Sequence, residues 1–62
     1  MTVAEVLELI DSAMASERQW LAEQVRREEF WRAAEAQARL RALQALRQAI
    51  LARLTLEGKQ EG

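Results

Sequence analysis

The residues of this chain that could do chemistry are carboxylates and hydroxyls, because the sequence contains no His, Cys or Tyr. General acid–base or nucleophilic catalysis would therefore rest on Glu, Asp, Lys, Ser or Thr alone. Two acidic pairs, Glu5 with Glu8 and Glu28 with Glu29, are candidates for a carboxylate site. Carboxylate metal sites on helices normally add His at a fixed spacing. We therefore interpret both pairs as solvated acidic surface.

The hydroxyl side chains are interpreted as helix-end residues rather than nucleophiles. Thr2, Ser12, Ser16 and Thr55 have no His to activate them, and helix caps favour hydroxyl residues. A glycine-rich phosphate loop is also missing, since the two glycines lie among the last five residues. The sequence thus predicts a protein that is not an enzyme, needs no cofactor or metal, and has no small-molecule substrate.

Arginines in the second half of the chain suggest a different kind of site, a face that binds nucleic acid. Arg32, Arg39 and Arg53 recur along one side of a helix with Arg47 nearby, where guanidinium groups could contact phosphates. No aromatic residue follows Arg32 to stack on bases, and the first half of the chain is acidic. We interpret these charges first as determinants of helix pairing; a dimeric RNA- or DNA-binding regulator is the alternative hypothesis.

A nearly continuous helix must carry these residues. The sequence has no Pro, and no Gly before position 58, so the usual helix breakers are absent from residues 3–56. Thr2 and Glu5 have the spacing of a capping box, which predicts a helix start at the next residue. We expect one helical region over residues 1–57, with its helix at about 3–56, and a polar tail over 58–62.

Two places could reverse the chain into a helical hairpin. Ser16 with Gln19 has the form of a second capping box, so one candidate is Ala15–Ser16. The other is residues 28–36, where an eleven-residue apolar repeat gives way to a heptad. Cap chemistry favours Ala15–Ser16. The predicted fold is all-α: a long, kinked amphipathic helix or a helical hairpin, packed into an oligomeric helical bundle.

An apolar stripe along the helix is the predicted interface. A chain of 62 residues without Cys buries too little surface to be self-sufficient, so the stripe needs another helix or another chain. The three aromatic residues are candidate anchors, because large aromatics concentrate binding energy at interfaces. The predicted interface residues are Leu7, Ile10, Met14, Trp20, Leu21, Phe30, Trp31, Leu40, Leu43, Ile50 and Leu54.

The charge pattern and the termini bear on partners and location. The net charge is −1, but the first half is acidic and the second half basic, which favours antiparallel pairing of helices. We find no apolar run near the roughly 20 residues of a membrane span and no secretory signal peptide. We expect a cytoplasmic protein or a component of a soluble assembly such as a virion, structural or regulatory in role, whose partners are its own copies or a larger protein assembly.

Overall fold

The computed structural model describes the backbone of residues 1–61 and the side chains of residues 1–58. The chain forms two α-helices, α1 (Val3–Arg26) and α2 (Phe30–Glu61), and no strand occurs among the described residues. The helices pack side by side in a flat molecule of 52 × 18 × 12 Å. The all-α prediction is confirmed, and the chain adopts the hairpin rather than the single long helix.

The start of α1 is the predicted capping box. The Thr2 hydroxyl accepts a hydrogen bond from the Glu5 backbone N–H at 3.1 Å, and Glu5 Oε1 accepts one from the Thr2 N–H at 3.3 Å. Both groups would otherwise lack partners at a helix start, so these two residues determine where the helix begins.

The chain reverses at residues 27–29, so the preference for a turn at Ala15–Ser16 was wrong. Helix α1 continues through Ala15 and Ser16 without interruption. A reversal there would leave much of α2 without an opposing helix, whereas the observed turn lets the whole 24-residue α1 lie against α2. Burial of apolar side chains along the longer contact outweighs a local cap worth about 1 kcal/mol.

The turn ends α1 without glycine. The Glu28 N–H donates to the Val25 carbonyl at 3.0 Å, and the Glu29 N–H donates to the Gln24 carbonyl at 2.9 Å. This is the hydrogen-bond pattern of a Schellman motif. Glu28 has φ 60°, in the left-handed region that usually belongs to Gly at this position. The sequence therefore contains no conventional signal for this turn.

Helix α2 runs past the predicted end near Leu56. It includes Gly58 and ends at Glu61, so residues 58–61 of the predicted polar tail are helical, and Gly62 lies outside the described residues. Glycine permits a left-handed helix end but does not impose one, and Gly58 has no positive φ. Continuing the helix keeps its backbone hydrogen bonds.

The core between the helices is small. Ile10, Met14 and Leu40 are its buried large side chains. Four partly buried residues pack against them: Val6, Leu21, Leu43 and Ile50. Closer to the turn the buried residues of α2 are only Ala33 and Ala36, whose small side chains let the two helices approach closely.

Candidate interaction surface

Two ion pairs between the helices define which residues lie opposite one another. Arg39 Nε lies 2.8 Å from Glu17 Oε1, and Arg47 Nε lies 2.8 Å from Asp11 Oδ1. The residue numbers add to 56 in the first pair and to 58 in the second. The helices therefore run antiparallel, and a residue of α1 lies opposite the residue of α2 whose number brings the sum to about 57. The acidic and basic parts of the chain thus meet within one molecule.

The Arg39 guanidinium keeps its charge under ordinary conditions. Its hydrogen bond to Glu17 raises its pKa, desolvation opposes this, and the negative charges of Glu17 and Glu35 raise it further, for a net increase. A raised pKa of a cation means that the stability gained by this pair is present at neutral pH. The contribution of the Arg39 charge is lost as the pH rises through that elevated value.

The hairpin has two long faces of different character. The first is lined along its groove by Ala13, Ser16, Glu17, Arg39, Ala42 and Leu43. The second is lined by Asp11, Met14, Arg18, Gln44, Arg47 and Gln48. The second groove is mostly polar and charged, and we refer to that side as the Gln48 face.

Helical phase places further apolar residues on the first face. At about 100° per residue, Leu9, Ala13, Ser16 and Trp20 of α1 fall within an arc of about 60°. On the same side of the hairpin, an arc of about 60° on α2 contains Arg39, Leu43, Leu46 and Ile50. We call this surface the Leu46 face; it comprises Leu9, Ala13, Ser16, Glu17 and Trp20 of α1 with Arg39, Ala42, Leu43, Leu46 and Ile50 of α2.

The hairpin leaves most of its large apolar side chains uncovered. Of the nineteen Val, Ile, Leu, Met, Phe and Trp residues in the sequence, eleven are more than a third exposed. On the Leu46 face the exposed fractions are 57% for Leu9, 50% for Leu46 and 45% for Trp20. Scattered single exposures are normal on protein surfaces, but several along one face indicate an interaction surface.

The two ends of the hairpin also expose apolar residues. Phe30 and Trp31 are 64% and 67% exposed, because they begin α2 immediately after the turn, where α1 has ended. At the open end, α2 extends past the start of α1. The exposed apolar residues there are Met1, Val3, Leu54 and Leu56.

The structure divides the residues predicted to form an interface. It buries Ile10, Met14 and Leu40 inside one chain and half-buries Leu7, Leu21, Leu43 and Ile50. It leaves Trp20, Phe30, Trp31 and Leu54 exposed. Much of the stripe is therefore used to close the hairpin, and the remaining four residues are available to a partner.

Of the large apolar residues on the Leu46 face, sequence reasoning missed Leu9 and Leu46. Each lies outside the stripe that the eleven-residue and heptad spacings select. The available signal was their helical phase relative to Trp20 and Leu43, but it becomes informative only once the two helices are known to be adjacent.

The four arginines proposed as a nucleic-acid face do not form one uniform basic surface. Arg39 pairs with Glu17 on the Leu46 face, whereas Arg47 pairs with Asp11 on the Gln48 face. Arg53 lies 3.5 Å from Glu57 within α2, and Arg32 has no ion pair among the described residues. Three of the four charges thus have a carboxylate partner in the same molecule, and nucleic-acid binding stays an untested prediction.

One polar side chain is buried near the turn. Gln24 is 1% exposed, and neither its amide nitrogen nor its amide oxygen has a hydrogen-bond partner among the described residues. By the pairing of opposed positions it lies across from Ala33. An unsatisfied buried amide costs about 1–3 kcal/mol, so Gln24 weakens the hairpin.

The described residues offer no group of three His, Cys, Asp or Glu side chains placed to hold a metal ion. None of the described helices is long and apolar enough to cross a membrane. Comparison with protein-family models, with curated proteins and with solved structures finds no match to this chain. The fold and the surface define a class of protein: a two-helix hairpin that leaves more of its large apolar side chains exposed than it buries.

Proposed function

We propose that this protein is a non-enzymatic helical interaction protein that acts by packing its exposed apolar surface against other protein chains. Those chains are its own copies or subunits of a larger assembly, and its role there is structural or regulatory. The observation that carries the proposal is the exposure of eleven of the nineteen large apolar side chains, all three aromatics among them.

The energetics of the hairpin support a need for partners. Only three large apolar side chains are buried, each contributing about 1.5–3 kcal/mol, and five more are partly buried and contribute less. That is small against the conformational entropy lost by ordering two helices of 24 and 32 residues. Chains of this size without disulfides or metals commonly complete their cores by association.

The setting that this proposal favours is a small accessory subunit of a virion or another large complex. A flat hairpin that exposes apolar residues along the Leu46 face, at both ends, and at Val25 and Leu51 can contact several neighbours at once. Repeated contact with neighbouring subunits is what such a component needs.

The experiment that tests the proposed function measures mass by light scattering and helicity by circular dichroism over a wide range of protein concentrations. We expect a helical species with the mass of two or more chains, and a loss of helicity as dilution separates them. An unfolded monomer would mean that another protein supplies the missing core. A fully helical monomer that is stable at every concentration would contradict the proposal.

A further inference from the structure

We infer that the partner on the Leu46 face is a second copy of this chain, and that the two hairpins form a symmetric four-helix bundle with both turns at the same end. The inference rests on the proposed function and specifies its surface and its geometry.

Symmetry determines which helices meet. Two identical hairpins can join the same face through a two-fold axis that lies parallel to their length or across it. The parallel axis puts α1 of each copy against α2 of the other, running antiparallel, with the turns together. The crossing axis puts α1 against α1 and α2 against α2, with the turns at opposite ends. The two arrangements therefore differ in every contact that they make.

Charge favours the parallel axis. Helix α1 carries five acids and two arginines, whereas α2 carries six basic residues and three acids. Placing α1 on α2 of the second copy therefore brings opposite charges together, and placing like helices together would bring like charges together. Near the open end Glu5 comes level with Arg53 of the second copy, and near the turn Glu23 comes level with its Arg32.

This symmetry also brings apolar residues of one copy against apolar residues of the other. Because opposed positions add to about 57, Leu9 comes level with Leu46 of the second copy, and Ala13 with its Leu43. Ser16 comes level with Ala42, so small residues lie where the helices must approach most closely. Leucines and small residues form the apolar part of the contact, the Glu17–Arg39 ion pair lies among them, and further charged residues border both ends.

The size of the face is near that of a typical dimer interface. The two helices lie side by side over the 24 residues of α1, about 36 Å, which with the 18 Å width outlines about 650 Å² before the relief of the side chains is counted. Typical specific interfaces bury about 800 Å² on each partner. Each groove contains one ion pair between the helices, Glu17–Arg39 on the Leu46 face and Asp11–Arg47 on the Gln48 face. The Gln48 groove adds Arg18, Gln44 and Gln48, so its burial would desolvate more polar groups. Of these two grooves, the one on the Leu46 face has the more apolar lining.

The first test places a charge at the centre of the face. Leu46→Asp should halve the mass at concentrations where the wild type is a dimer, because the carboxylate would be buried against Leu9 of the second copy. Leu56→Asp is the matched control. Leu56 is a leucine of the same helix with a similar exposure, 58% against 50%, but it lies at the open end outside the face. It should keep the mass of the wild type.

The second test separates the two arrangements and does not depend on Leu46→Asp folding alone. Leu9→Glu and Leu46→Lys are prepared as separate chains, each expected to dimerise weakly. When they are mixed, the parallel axis brings Glu at position 9 against Lys at position 46, and leaves Leu9 against Leu46 at the other contact. A one-to-one dimer of wild-type mass should form, and native mass spectrometry identifies it.

The outcomes distinguish this inference from the proposed function. If the Leu46→Asp variant still assembles, or if the mixed chains do not pair, the proposed geometry is wrong. The proposed function would then stand, with association through another surface. If the wild-type chain is an unfolded monomer, its partner is not a second copy. The proposed function would then require docking on a different protein. A stable helical monomer at all concentrations would overturn both.

Discussion

At the scale of single residues, the turn depends on a glutamate in a backbone conformation that favours glycine. Glu28 has φ 60° at the residue after the α1 C-cap. A residue with a Cβ atom is strained there by about 1–2 kcal/mol, and Gly removes this strain at some cost in chain entropy. Glu28→Gly should therefore stabilise the protein by about 0.5–1 kcal/mol, measured by chemical denaturation.

The neighbouring acid supplies the control for this prediction. Glu29 does not have a positive φ, so Glu29→Gly gains nothing in the folded state and adds freedom to the unfolded chain. It should leave stability unchanged or reduce it. If the two variants behaved alike, or in the reverse order, the chain would not turn through Glu28 as described.

The buried amide of Gln24 offers a second substitution that should stabilise the hairpin. Gln24→Met keeps the length of the side chain and removes two polar atoms that lack partners. We expect a gain of about 1–3 kcal/mol in the free energy of unfolding. Gln19→Met on the exposed side of α1 is the control, with an expected change within about 0.5 kcal/mol. A loss of stability in Gln24→Met would show that the amide does have a partner in solution.

At the scale of elements, the two ion pairs between α1 and α2 specify the register of the helices more than they stabilise them. Asp11 and Arg47 are both more than a third exposed, so solvent screens their attraction. The pair lies on the Gln48 face, where an assembly through the Leu46 face would not disturb the measurement.

A double-mutant cycle at this pair tests the alignment of the helices. Asp11→Arg and Arg47→Asp should each lower the free energy of unfolding, because like charges then face each other. The double variant should recover part of the loss, with a coupling of about 0.2–1 kcal/mol that weakens as salt is added. Purely additive losses would mean that the two residues do not face each other in solution.

At the scale of the whole molecule, stability and assembly should be inseparable. The hairpin buries three large apolar side chains, partly buries five and exposes eleven, so association would bury further apolar surface and add hydrophobic stabilisation. For the same reason the loss of helicity expected on dilution should be matched by a fall in the thermal midpoint, since mass action links unfolding to dissociation. A midpoint independent of concentration would agree with a self-sufficient hairpin instead.

Several features of this protein were determined by the sequence alone. The absence of Pro and the late position of the glycines predicted helix throughout, and Thr2 with Glu5 predicted where α1 begins. The opposite charges of the two halves predicted antiparallel pairing, which occurs within the chain. These features are local or additive, so composition and short-range spacing are enough to reveal them.

Only the tertiary structure decided where the chain reverses and which apolar residues remain for a partner. Ser16 has better cap chemistry than Glu28, yet the chain turns at Glu28 because the longer helix contact is worth more than one cap. The tertiary structure likewise revealed Leu9 and Leu46 as exposed residues of a candidate interaction surface. A side chain counts as exposed only once the opposing helix has been positioned, and that position depends on packing along the whole length of both helices.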